Sequence, residues 1–319
     1  MAYTDSSSDN YRGELMLVGA YQTPFLSMMG GMGGGSRSNS FLFPLAQTYG
    51  LTAASQPTIT ETVSAAAGTA TTITRSEDTN TAQIFKEDVA ATFKKQSQFG
   101  LMAGINTNDA NPVVSELGFQ KAGALKQMAI DMEWSFLQGT YNASSGVTDA
   151  AGTRGIYTAS VAGSNTEDGG AATLTKELVD KLLLDMATNG AVFDNSVIFV
   201  NGFQKQVLSD IYGYAPADRN VGGVNISTIE TDFARLGIVY APNMPAAGLL
   251  IADMAHVQPV FVPVSFSGEG VADSANGADV LWVPTAITAA KAGGFFYSQA
   301  GIDYGPEEYH GTITGLATS

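Results

Sequence analysis

Two histidines, a run of glycines and a few closely spaced acids are the residues of this chain whose types could do chemistry. Asp253 stands three residues before His256 in "DMAH", a carboxylate and an imidazole of the kind that hold a metal. The surrounding residues read as sheet, and the helical HExxH spacing of a zinc protease is absent. His310 lies in "PEEYHG", where Glu307 and Glu308 could supply oxygen ligands, but a charged surface turn is the simpler reading. Asp131 and Glu133 are two apart on a helix and point to different faces. They are not an acid/base pair and read as helix-surface or interface charges.

The glycines come in "MMGGMGGGSRSNS", residues 28–40. Gly30 and Gly35 have the spacing of a phosphate-binding loop, but Ser36 and Arg37 follow where such a loop needs lysine and then serine or threonine. Pro24 and Pro44 flank the run, so it does not join a buried strand to a helix. Without side chains it reads as a hinge. Met28, Met29 and Met32 beside it read as packing residues. No Gly-x-Ser-x-Gly elbow nominates a nucleophilic serine. The chain has no cysteine, which removes thiol catalysis, disulfides and cysteine zinc sites. Phe295, Phe296 and Tyr297 lack the basic neighbours of a base-stacking surface. The expectation is a protein with no catalytic set, no cofactor and no metal.

The elements behind these residues must therefore serve something other than a reaction. The chain has 319 residues, 45% apolar and 14% charged, enough for a sizeable core and too apolar for disorder. A net charge of −15 argues against gripping nucleic acid. The acidity is uneven: residues 251–319 carry seven acids against Lys291 alone, while residues 41–100 carry five against four bases. Those regions are complementary surfaces if copies meet, or else a solvated acidic face. The first residues lack the pattern of a signal peptide and no apolar run could span a bilayer, so a soluble protein made in the cytoplasm is expected.

Residues 1–40 hold too few large apolar side chains to build a core and read as an extended arm. "PTITETVSAAAGTATTITR" reads as two Thr-rich strands of a long hairpin around Ala-Gly-Thr, polar on both faces and in need of a neighbouring molecule to lie on. Residues 81–99 read as a strand. Asn111-Pro112 starts a helix that runs to Gly139, with Leu125, Met128, Met132 and Phe136 at helical spacing. A second helix is expected over 175–188, supported by a Glu177–Lys181 pair. A buried strand is expected over 196–200 and a helix over 202–213. The rest is mostly strand, with Pro259 and Pro263 marking a sheet edge. The class is α+β.

The succession "TPFLSMMGG", "NTAQIFKEDVAATFKKQSQFG", "ELGFQKAGALKQMAIDMEWSFLQGT" and "GTRGIY" closely resembles the SU10-like branch of tailed-phage major capsid proteins. "ISTIETDFARLGIVYAPNMPAAGLLIADMAHVQPVF" and "YHGTITGL" continue the likeness almost to the end. The resemblance implies a Hong Kong 97-like fold. Its parts would be an N-terminal arm (1–40), an extended loop (41–82), a peripheral domain (83–160 and 266–319) with a spine helix (112–138), and an axial domain (161–265). It implies pentamers and hexamers tiling an icosahedral head around double-stranded DNA, with portal, scaffolding and possible decoration proteins as partners. "AAKAGG" (289–294) departs from the family's usual Lys-Thr-Gly-Asp stretch, and 267–282 looks expanded. With no charged helical leader visible, a separate scaffolding protein is expected. Some relatives join a loop lysine to a neighbour's asparagine, but the loop here offers only Arg75, a poor nucleophile, so non-covalent contacts are expected. Arg75, Lys86, Lys94, Lys95, Glu116, Asp131, Glu133 and Arg154 are the residues expected at contacts between copies. An encapsulin-like compartment shell is the alternative on the same fold. A secreted β-rich carbohydrate-active or adhesive protein is the alternative outside it.

Overall fold

The computed structural model describes residues 22–45, 48–50, 54–68, 72–73, 75–97, 116–213, 227–264, 279–287 and 289–319. Helix α1 (Pro24–Met28) opens on a proline, whose missing N–H is no loss in a first turn. After a glycine turn come the short strands β1 (Ser36–Arg37), β2 (Leu42–Pro44) and β3 (Thr48–Tyr49). Helix α2 (Glu61–Ala65) begins where the Thr60 hydroxyl accepts the Val63 N–H. Strands β4 (Arg75–Ser76), β5 (Thr79–Thr81) and β6 (Gln83–Thr92) precede helices α3 (Phe93–Ser97), α4 (Glu116–Gln138) and α5 (Ile156–Ala162). Then follow β7 (Thr166–Asp168), α6 (Lys176–Thr188), β8 (Ser196–Val200) and α7 (Gly202–Tyr212). The remainder is β9 (Thr228–Glu230), β10 (Arg235–Tyr240), β11 (Leu249–Asp253), β12 (Gln258–Phe261), β13 (Val280–Pro284), β14 (Lys291–Asp303) and β15 (Gly311–Thr314).

The strands form a five-stranded sheet of β1, β12, β14, β13 and β6, and a six-stranded sheet ordered β7-β15-β11-β8-β10-β9. Strands β8 and β11 are buried at every position, which explains their apolar runs over 197–200 and 249–252; Ser196 and Asp253 at their ends are buried too. Their residues alternate between two cores: Ile198, Val200, Leu249 and Ile251 pack with Val179, Leu182, Leu183 and Met186 of α6. Val197, Phe199, Leu250 and Ala252 face the larger core with α1 and α4. Helix α4 supplies Met128, Met132 and Phe136 to that core at helical spacing, and Phe136 meets Phe85 of β6 edge-on at 6.4 Å. At its end Gly139 is held so tightly that a Cβ would overlap the carbonyl oxygens of Ser135 and Thr153.

The helices over 175–188 and 202–213 and the strand over 196–200 match their sequence expectations. Several other expectations need correction. The strand at 81–99 stops at Thr92, and Phe93–Ser97 is helical. The start at Asn111-Pro112 lies outside the described residues, as does most of 267–282. Strand β12 is no sheet edge, because β1 pairs with it in parallel register, Ser36 beside Val260 and Arg37 beside Phe261. Lys181 pairs with Glu167, an acid distant in sequence, instead of Glu177. Among the described residues the expected hairpin is paired only at its root, where β2 pairs with β5 and β3 with β4. Farther out, Glu61–Ala65 is helical where a Thr-rich strand was expected.

The largest correction concerns the arm. Of its described residues, 22–40, Phe25, Leu26 and Met29 are buried in the chain's own core, and Phe43 and Leu45 at the base of the loop join them. The glycine run is a shaped turn: Gly30, Gly31 and Gly35 have φ of 99°, 72° and 90°, where a side chain would be strained. A Cβ on Gly35 would also overlap the Pro259 carbonyl oxygen. The turn delivers β1 to β12, and Arg37 then pairs with Asp279 at 2.9 Å.

Candidate assembly surfaces

The loop between β2 and β5 is rooted by one buried asparagine. Asn80 donates through Nδ2 to the carbonyls of Arg154 (3.0 Å) and Ile302 (2.8 Å), and its Oδ1 accepts the Arg154 N–H. The Arg154 guanidinium reaches Glu307 at 3.0 Å and Asp78 at 3.3 Å, clamping the same root a second time. Beyond the root the described residues of the loop find no cover. Residues 54–68 are exposed throughout, and Tyr49, Ile59, Val63 and Ile73 are each 59–69% exposed. An extended segment that leaves apolar side chains in water gains nothing from its own subunit and marks a surface meant for a partner.

The arm is anchored by a carboxylate. Glu133 of α4 is fully buried, and its Oε2 accepts the Leu26 N–H at 3.2 Å while its Oε1 accepts Asn243 Nδ2 at 3.3 Å. It thus ties together the arm, the long helix and the loop after β10. Burial pushes its pKa up to about 7 against the hydrogen bonds, which pull it down. Glu133 is therefore no surface charge, contrary to its expected place at a contact between copies.

The other expected contact residues lie apart. Arg75 is exposed in β4. Lys86 in β6 pairs with Asp88 at 3.1 Å and lies over the Phe295 ring. Lys94 and Lys95 are on α3. Glu116 accepts from Gln120, and Asp131 accepts from Gln127, both along α4. Arg154 is engaged within the chain, at the loop root. Asp131 also borders a groove of about 380 Å³ between α4 and β6, with Glu87, half-exposed Ile84 and Trp134. Burial, and then Asp131 beside it, raise the Glu87 pKa.

His310, which the sequence placed in a surface turn, is interior, and a buried acid stands beside it. His310 is buried: its Nδ1 accepts the Asp253 N–H, and its Nε2 donates to the Tyr304 carbonyl. Burial holds its pKa down to about 4, so the ring is neutral. Asp253 is also buried and accepts the N–H groups of Asp194, Asn195 and Ala255. Asp194, Asp253 and His256 bring ligand atoms within 4.8 Å of one another, yet the carboxylate that would anchor an ion is already committed to those donors. The sequence reading missed Asn80, Asp78 and Glu307 as the root of the loop. Only a map of which segments meet could have found them, since "EDTN" carries no local signal.

The family model described as SU10 major capsid protein matches residues 1–317. The fold is similar to a subunit of the cyanophage A-1(L) capsid, with a TM-score of 0.65 and 13% identity over 99% of this chain and 98% of that one. It is also similar to a chain of Microbacterium phage Oxtober96, with a TM-score of 0.55 and 14% identity over 98% and 96%. A chain of the holo-SrpI encapsulin complex from Synechococcus elongatus gives 0.57 at 9% identity over 98% and 94%. At these identities the likeness is one of fold. No curated protein matches the sequence.

Proposed function

The chain belongs to the SU10 major capsid protein family, and from that premise we propose that its shell is held together by non-covalent contacts between pentamers and hexamers. As a major capsid protein of Hong Kong 97-like fold it builds an icosahedral shell and is a component of the virion. Its role is structural. Among the described residues no helix is long and apolar enough to cross a membrane.

The observation that carries the proposal is the rooted but uncovered loop. Its base is fixed by Asn80 and Arg154, while Tyr49, Ile59, Val63 and Ile73 find no cover among the described residues. A neighbouring copy supplies that cover. The proposed parts are an arm (1–40), an extended loop (41–82), a peripheral domain around α4 and the five-stranded sheet, and an axial domain around the six-stranded sheet. The sheets exchange two strands across the boundaries expected from sequence: β12 joins the first and β15 the second. Arg75, Lys86, Lys94, Lys95, Glu116 and Asp131 remain proposed contact residues. Synthesis in the host cytoplasm, a separate scaffolding protein, a portal and packaged double-stranded DNA complete the reading. The family match favours a phage head over an encapsulin compartment.

The test is electron microscopy of the purified protein, followed by boiling of the particles in detergent. Shells that dissolve into a single 33.2 kDa band are expected. Ladders of covalent multimers would refute the non-covalent assignment, and a persistent monomer would refute the shell.

A further inference from the structure

At the root of the loop lies a polar pocket of about 270 Å³, lined by Glu77, Asp78, Glu307 and Glu308 together with Tyr304, Gly305 and Pro306. Arg154 is the one base paired with its acids among the described residues. Burial, before any charge effect, raises the Glu307 pKa, and Asp78 and Glu308 add to the rise against Arg154. The pocket is thus short of positive charge. Tyr304 gives a second, independent sign. Its side chain is fully buried against the pocket, yet its hydroxyl has no hydrogen-bond partner among the described residues, and neither has Arg154 Nε. Native proteins rarely leave such groups unmatched.

We propose that this pocket receives a lysine or arginine side chain from a second copy of the chain, whose N–H donors meet the Tyr304 oxygen and the Glu77 and Glu308 carboxylates. The inference rests on the shell reading, which brings copies together. Charge complementarity selects the occupant: Arg75, Lys94, Lys126, Lys205, Arg235 and Lys291 make no ion pair among the described residues. Asp78 and Glu307 are occupied by Arg154, so Glu77, Glu308 and the phenol remain for the incoming cation.

Tyr304→Phe separates this account from a merely structural role. In the unassembled subunit it removes an unpaired buried hydroxyl, so the melting temperature is expected to hold or rise. In shells it removes an acceptor, so the heat-dissociation midpoint at low salt is expected to fall by about 5 °C. The Glu77→Gln/Glu308→Gln double variant, which leaves the Arg154 clamp intact, should show the same fall and lose much of the wild-type shell's sensitivity to salt. Variant shells as heat-stable as the wild type overturn the proposal while leaving the shell reading in place. Millimolar spermidine that stabilises the unassembled wild type, but not the double variant, would assign the pocket to a free polycation and also overturn it. A wild-type protein that forms no shell removes the premise instead. If the double variant does not fold, Tyr304→Phe alone decides.

Discussion

At about pH 8 the unassembled Glu133→Gln variant is expected to be more stable than the wild type by about 3 kcal/mol, and near pH 4 the advantage should vanish. The reason is the buried carboxyl that ties the arm to α4. Its pKa is about 7 in the folded chain against 4.5 for the free group. Between those values the folded protein holds a proton that the unfolded chain has released. Stability from this group is therefore full below 4.5 and lost as the pH rises to about 7. Glutamine keeps an amide oxygen for the Leu26 N–H and has no charge to bury. His310 works in the opposite sense. Its folded pKa is about 4 against 6.5, so its contribution is lost as the pH falls through that interval. In the wild type the two groups oppose each other between 4.5 and 6.5, and that part of the profile should be nearly flat. In Glu133→Gln the His310 loss stands uncovered, and stability should drop with acid. Glu87 and Glu307, both raised chiefly by burial, tilt both profiles alike. Urea denaturation across the pH range gives the comparison; parallel profiles for the two proteins would contradict it.

Phe25→Ala is expected to cost the isolated subunit about 3–5 kcal/mol, the range for a large aromatic removed from a packed core. Phe25 is fully buried and meets Phe199 edge-on at 5.2 Å, so its loss opens a cavity between α1 and β8. Ile59→Ala is the matched control. Its side chain is 68% exposed, and truncation should change the isolated subunit by less than about 0.5 kcal/mol. The order should reverse in what each does to assembly: Ile59→Ala should weaken shells that form from a fully folded subunit. Denaturation of the unassembled variants and heat-dissociation of the shells together measure the contrast. An arm ordered only by neighbours would instead leave the Phe25→Ala subunit as stable as the wild type.

This contrast also marks what the sequence could and could not tell. Helix α4, helix α6 and strand β8 were legible because their own periodicity or unbroken apolar run reflects the surface they bury. The Thr-rich stretch misled because β-propensity measures fit to a half-buried pleated surface, and residues 54–68 are buried against nothing. The arm misled for the converse reason. Among its described residues Phe25, Leu26 and Met29 are the buried ones, and the core they complete is built by α4 and β8 far along the chain. Glu133 and His310 show the limit most sharply. A charged residue two positions from Asp131, and a histidine beside two acids, both look like surface until Asn243, Leu26, Asp253 and Tyr304 are brought around them. The order of family motifs carried the function where local chemistry was silent.

Hydrogen exchange, followed peptide by peptide in the unassembled subunit and in purified shells, tests the central claim most directly. The account predicts that peptides from the arm around Phe25–Met29 are protected in both states, while loop peptides covering 54–68 exchange freely in the subunit and become protected only in the shell. Loop peptides already protected in the lone subunit, or still unprotected in intact shells, would contradict it.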